Sequence, residues 1–419
     1  MRKTATALCR SHMRCWHIVR ESFCRKASFF ALFLGYFSTG LSIPAMSLLV
    51  LSKGFSLASL GVSAACFSAA VLVFELPSGL FCDAKGRKNG YLIGQMLSIL
   101  GTICLFSSSF PVLCTGFALN GVGRAMGSGS LDALLIRSHV ESGKSLDGVV
   151  VTLNAGSSIA LSSGSLAGGV LLGFGEPGVR ECHPLLAGKL LVLCIGVVVA
   201  FVFVSEPKRG AGTKSDMRFQ AKRFLAGVRT IPFLSVFLVF SLLQGLLLST
   251  VESYWQPYLQ HLLVSSQMMW LYGVVGGIAF GCSLLGTFAG KCLMTRIPSR
   301  WLCPACFLGA LGALVAMSFS DTALAFCCLY GALYFFLGVS SVTGDLLTNA
   351  AAREEIRSSV LSANSLALQL GGLFSGIVAT NALRFLSLSA FWVGTAGCCA
   401  VVLLGILRPF VVRAKRIRM

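Results

Sequence analysis

The stretch Phe74-Glu-Leu-Pro-Ser-Gly-Leu-Phe-Cys-Asp-Ala-Lys-Gly-Arg-Lys88 decides how this chain is read. It begins inside an apolar run that carries a carboxylate, Glu75, breaks into a short charged loop over 83–88, and re-enters apolar sequence at Tyr91. A tight, glycine-bearing, charged hairpin between two runs of membrane-spanning length is rare by chance. The rest of the 419 residues has the same character: 55% are hydrophobic and 12% charged, and the mean hydropathy is +0.82. A soluble chain of this length would need far more charge to cover its surface. The 46 glycines suit helices that pack closely within a bilayer. No long charge-rich or Pro/Ser-rich segment offers a separate soluble domain.

Working outward, twelve apolar segments of roughly twenty residues appear, each long enough to cross about 30 Å of hydrocarbon. The expected spans are 28–50, 56–81, 91–109, 112–137, 148–173 and 186–204, then 232–253, 267–290, 302–319, 322–348, 359–380 and 386–407. Lys and Arg fix the expected orientation: with the N-terminus inside, inner segments hold 29 of them and outer loops and helix ends four, namely Lys53, Arg180, Lys189 and Arg384. This asymmetry accounts for the net charge of +19 and removes nucleic-acid binding as its reason. The expected organisation is a basic cytoplasmic tail (1–27), a first six-helix bundle (28–204), a central cytoplasmic loop (205–231), a second bundle (232–407) and a basic cytoplasmic C-terminal tail (408–419). The tail over 1–27 is not read as a cleavable signal. Basic residues of the central loop are expected to set topology and meet anionic lipid.

An internal repeat supports two related halves. Gly286-Thr-Phe-Ala-Gly-Lys291 echoes the Gly79–Ala84 stretch, and Gly344-Asp-Leu-Leu echoes Leu131-Asp-Ala-Leu-Leu, at offsets of 207 and 213 residues.

The pattern Gly79, Asp83, Gly86, Arg87, Lys88 resembles the signature loop of the major facilitator superfamily. A second stretch, Asn120-Gly-Val-Gly-Arg-Ala-Met-Gly-Ser-Gly-Ser-Leu-Asp-Ala-Leu134, is similar to the fourth helix of its bacterial drug-efflux-like members. The Arg usual near the outer start of that helix in proton-coupled drug antiporters is absent; Gly116 and Phe117 stand there. The resemblance implies an all-α polytopic membrane protein, twelve transmembrane helices in two pseudo-symmetric six-helix bundles with both termini cytoplasmic. It also implies a conformational latch at Asp83, Arg87 and Lys88, with Gly79 and Gly86 allowing close backbone approach. The bland alternative is helix capping.

A charge within a bilayer costs about 2.5–3.5 kcal/mol on insertion scales, so each one needs a reason. Five stand out as candidates for substrate or proton handling: Glu75, Arg124, Asp132, Glu252 and Asp345. Arg124 cannot lose its proton; it either contacts cargo or pairs with Glu75 or Asp132. Asp132 and Asp345 lie toward inner helix ends and read either as gate ion pairs or as partners of Arg353 and Arg357. Glu252 precedes Tyr254-Trp-Gln-Pro-Tyr258, a cluster that an interfacial aromatic belt would explain. Uncharged polar groups that could line a cavity or tie helices together are Tyr36, Gln95, Asn154, Gln244, Asn364 and Gln369. Cys303-Pro-Ala-Cys306 has metal spacing but no matching second pair. No Walker loop, paired soluble carboxylates or zinc signature is found, so neither an enzyme nor a bound cofactor or metal is expected.

These readings lead to a secondary transporter, expected to be a monomer in a bacterial inner membrane, exporting a small amphiphilic solute in exchange for protons. Uptake of a polar nutrient or organic anion through Arg124 is the second reading. A non-transporting receptor or assembly protein is the third, and an intact signature loop argues against it.

Overall fold

The computed structural model describes residues 24–141, 146–174, 182–206, 234–263, 268–351 and 357–415. Most of the expected N-terminal tail and central loop, the last four residues, and Arg353 lie outside that set. Fourteen α-helices follow in order among the described residues. The first half holds α1 (Cys24–Ser42), α2 (Met46–Ser52), α3 (Leu57–Lys85), α4 (Arg87–Cys104), α5 (Phe110–Gly127), α6 (Leu131–Glu141), α7 (Leu146–Leu172) and α8 (His183–Phe203). The second holds α9 (Leu234–Leu262), α10 (Trp270–Leu293), α11 (Ser299–Met317), α12 (Ala323–Ala351), α13 (Arg357–Ala382) and α14 (Leu388–Lys415).

Among the described residues nine helices are long and apolar enough to span a membrane, ten if the bent pair α1–α2 counts as one. With α4 and the broken pair α5–α6 these account for the twelve expected segments. Three boundaries depart from the expectation. The first span bends by 42° across Ile43–Ala45, where Pro44 has no N–H to give and its ring crowds the preceding turn. The fourth is interrupted at Ser128–Ser130, with Gly129 at φ +68° and Ser128 extended. The charged loop expected over 83–88 is helix on both sides of a single residue: α3 continues to Lys85, and only Gly86, at φ +101°, breaks it from α4. A positive φ there suits glycine, which carries no Cβ to clash.

The two halves repeat each other. In the first, α5 packs against α3 and α4; in the second, the counterpart α12 packs against α10 and α11. The contacts between halves obey the same exchange, α3 against α13 and α7 against α10. Lipid offers no hydrophobic drive between helices, so close backbone approach through small residues has to supply the attraction. At the α1–α7 crossing a Cβ on Gly40 would come within 3.0 Å of Gly164 Cα. The Gly61–Gly376 crossing of α3 and α13 is equally tight: a Cβ on either would lie 2.6 Å from the other's carbonyl oxygen.

Two ends of the molecule can be distinguished. The hinge end carries Gly86 and the starts of α1, α7 and α13; the far end carries Lys53, Leu263 and the C-terminus of α13. At the far end Lys53 Nζ donates to the carbonyls of Leu105 and Ser107, tying α2 to the C-terminus of α4.

Candidate functional site

The halves are joined at the far end and at mid-depth. Ser47 Oγ donates to the Ser253 carbonyl at 2.7 Å, Gln256 Nε2 to the Ile43 carbonyl, and Tyr254 Oη to Leu57 at 3.4 Å. On the other seam Ser165 Oγ donates to Gly273 at 3.1 Å and Ser162 Oγ to Gly277 at 3.2 Å. The remaining inter-half hydrogen bond between described residues is closest to the hinge end: Ser365 Oγ donates to Glu75 Oε1 at 3.1 Å. Beyond it, a Cβ on Gly79 would meet nothing within 4 Å. Among the described residues Gly79 therefore makes no close backbone approach. Among the described residues, Glu75 and Ser365 thus mark the hinge-side limit of the hydrogen bonds that join the halves.

Charged groups stand around this contact, in the cleft between the halves. Arg124, near the C-terminus of α5, is exposed although Gly123, Ala125 and Met126 beside it are buried. Its guanidinium lies within electrostatic range of Tyr36 on α1, Glu75 on α3 and Glu252 on α9. No carboxylate among the described residues comes within 4 Å of it. Neither Glu75 nor Asp132 closes the ion pair that was one of the two readings of Arg124. Glu75 instead takes Ser365 from the opposite half, with Ser128, at the α5–α6 break, beside it. Asp132 sits in the first turn of α6, where the helix N-terminus favours its charge. It lies within electrostatic range of Tyr36 and Tyr91. Tyr91 Oη in turn donates to the Ala31 carbonyl at 2.6 Å, which ties α4 to α1.

From the second half, Glu252 is exposed on α9 between buried Val251 and Tyr254. It lies one turn before Gln256, whose amide reaches across to α1, so this face of α9 looks at the first half. Tyr330 and Tyr334, their rings 5.0 Å apart, lie within electrostatic range of Glu252. The aromatic belt expected after Glu252 is not there. Tyr254 and Trp255 are each 1% exposed; Trp255 packs 5.3 Å from Tyr330, and Tyr258 stacks 4.8 Å from Trp392. This cluster is the core of the second half, where offset aromatic pairs add about 0.5–1.5 kcal/mol beyond simple burial. Asp345 is exposed on α12, and among the described residues no cation pairs with it or with Asp132. The expected partner side chains of Arg353 and Arg357 lie outside the described residues. Of the uncharged polar candidates, Asn364 accepts from Ser241 and Gln244 donates to Ser340, both as links between helices of the second half.

The hinge assembles from three elements. Asp83 and Arg87 face each other at 3.8 Å across the Gly86 break. The Lys88 backbone N–H donates to Glu206 Oε2 at 3.1 Å, so a carboxylate from beyond the end of α8 caps the N-terminus of α4. Lys88 Nζ donates to the Phe201 carbonyl at 2.7 Å and lies 5.6 Å from the Phe201 ring.

Sequence reasoning overlooked two residues. Glu206 was counted with the central loop, and nothing local ties it to Lys88. Lys189 was placed with outer helix ends, yet it lies inside α8 and is 7% exposed. Its ammonium donates to Ser42 Oγ at 3.2 Å and Asn120 Oδ1 at 3.4 Å, both neutral. A lysine inside an apolar run was the signal that could have found it.

The family model of the Major Facilitator Superfamily matches residues 28–411. An uncharacterized MFS-type transporter of Bacillus subtilis (strain 168), YxaM, is 24% identical over 244 residues, 57% of this chain and 59% of its own length. The chain thus spans about three fifths of that relative. Among solved structures, the nucleoside transporter NupG superposes with a TM-score of 0.74 at 14% identity, covering 93% of this chain and 98% of that one. The D-xylose-proton symporter gives 0.71 at 15%, with 93% and 97% covered. An inward-facing bacterial homolog of the human lysosomal transporter Spinster gives 0.70 at 14%, with 95% and 98% covered. Twelve helical segments in two repeated halves, a charged cleft between them and a match over nearly the whole length lead to one conclusion: the chain belongs to the Major Facilitator Superfamily of membrane transporters.

Proposed function

We propose that this transporter exports a small amphiphilic solute in exchange for protons, by rocking its two halves about the cleft. The observation that carries the reading is Glu75, a carboxylate of the first half that accepts a hydrogen bond from Ser365 of the second. Adding a proton to it alters one contact between halves and the field at Arg124 together, which is what coupling requires. The basic residues flanking the hinge make that end cytoplasmic by the positive-inside rule. Export takes cargo from that side, and the apolar helix faces of the cleft suit an amphiphile. Asp132 and Asp345 are further proton candidates on the same cleft, and the Gly79–Lys88 segment latches the cytoplasmic face when it closes. A bacterial inner membrane fits the short connections.

The test is transport into inside-out proteoliposomes carrying a fluorescent lipophilic amine. An imposed proton gradient should drive accumulation in the wild type, and Glu75→Gln should lose gradient-driven accumulation while retaining cargo binding. Unchanged accumulation in Glu75→Gln would remove Glu75 from coupling. Accumulation driven only in the uptake direction, and only for a polar anion, would install the uptake reading in place of export.

A further inference from the structure

Arg124 and Glu252 are opposite charges that face one cleft from opposite halves. Arg124 is exposed, has no carboxylate within 4 Å among the described residues, and feels Glu252 electrostatically. Glu252 is exposed and takes no hydrogen bond from any described residue. The other mid-depth carboxylate, Glu75, differs in being held by Ser365. The surroundings of the two free charges differ too. Arg124 has Tyr36 within its field, from the same half, while Glu252 has the Tyr330–Tyr334 pair, from its own half. An exposed carboxylate with no partner is the chemistry that pairs with an amine through charge-assisted hydrogen bonds. A guanidinium is the chemistry that grips a carboxylate or phosphate with two parallel hydrogen bonds.

We propose that the cargo is an amphiphilic zwitterion, its anionic group on Arg124 and its amine on Glu252, so that it bridges the halves. This deepens the export reading above and rests on it. The physical reason is the closing step. When the halves close over cargo, water leaves the cleft, and an unpaired charge sealed in a low-dielectric space is costly. A zwitterion neutralises both charges at once and holds the halves together while doing so. A cargo bearing only an amine leaves Arg124 uncompensated, and one bearing only an anion leaves Glu252 so. Closure without cargo brings the two charges toward each other instead.

The experiment is a thermal-unfolding binding assay on the purified full-length protein with matched sets of four probes. Each set shares one apolar body (phenyl, indolyl or linear alkyl) and carries a free amino acid, its amide, its N-acetyl derivative, or its N-acetyl amide. These present zwitterion, cation, anion and neutral forms; amine-to-carboxylate spacing is varied from α to ω. The expected result is binding at least tenfold tighter for a zwitterion than for the cation or anion of the same body. Arg124→Gln should remove that advantage over the cation, and Glu252→Gln the advantage over the anion. Arg124→Glu combined with Glu252→Arg should restore zwitterion binding, which guards against misfolding of the single variants. Equal binding of neutral or singly charged probes would overturn the zwitterion proposal and leave amphiphile export standing. Binding of no form in any set would overturn both.

Discussion

Lys189 isolates what a single buried charge does in this fold. Its ammonium sits among α1, α5 and α8 with two neutral oxygen acceptors and no carboxylate among the described residues. Both acceptors have second bonds: Ser42 Oγ donates to Thr39 at 2.8 Å, and Asn120 Nδ2 to Gly116 at 2.9 Å. Removing the ammonium therefore leaves neither group wholly orphaned, while the aliphatic stem still fills its space. Replacing a buried charge by an apolar side chain of similar volume is often neutral or stabilising, whereas truncating a buried side chain costs about 2–5 kcal/mol. Lys189→Met is expected to unfold at or above the wild-type midpoint, and Lys189→Ala several degrees below it, in a detergent thermal melt. If Lys189→Met fell as far as Lys189→Ala, the charge rather than the stem would be holding α8 in place.

At the scale of the element, the junction of α3 and α4 depends on one glycine and one distant carboxylate. Gly86 sits at φ +101°, and a Cβ there would lie 2.8 Å from Glu206 Oε2, the oxygen that accepts the Lys88 N–H. Gly86→Ala meets two penalties, backbone strain of about 1 kcal/mol or more and displacement of the Glu206 cap. Glu206→Ala alone gives up a charged helix cap, a loss of about 1 kcal/mol. The double variant should lose less stability than the two single losses added, since the displaced cap is then counted once. Strict additivity in a four-point melting series would show that Glu206 moves freely aside. The same junction marks how far the sequence could be read. Gly86, Asp83 and Arg87 were legible because a short charged break between apolar runs is a local signal. Its partner Glu206 was not, for it lies 118 residues from Lys88 and only the packing of α4 on α8 joins them. Tyr254 and Trp255 failed for a related reason: aromatic residues near a helix end look alike whether they face headgroups or a core, and only neighbouring helices decide. The central cluster of Glu75, Arg124 and Glu252 was visible as costly charges, but not as one constellation.

For the molecule as a whole, the far end is where the halves meet through bare backbone. Gly61 of α3 and Gly376 of α13 touch there, and a Cβ on Gly376 would approach Gly61 O at 2.6 Å and Ala65 N at 2.8 Å. Backbone cannot yield as a flexible side chain can, so a larger residue has to push α13 away from α3. Within either half nothing is disturbed by this, because Gly376 faces the opposite half. The consequence is a change in the balance of conformations, with the far-closed state losing ground to one that opens at that end. The rocking cycle proposed above visits both states in each turn, so blocking one stops turnover. Gly376→Val is expected to purify as a monodisperse protein with a near-normal melting midpoint, yet to lose most of its proteoliposome transport. Gly394→Val is the matched control, because a Cβ at that glycine would meet nothing within 4 Å; it should transport as the wild type does. Retained transport in Gly376→Val would mean that the α3–α13 contact opens and closes without needing this close approach.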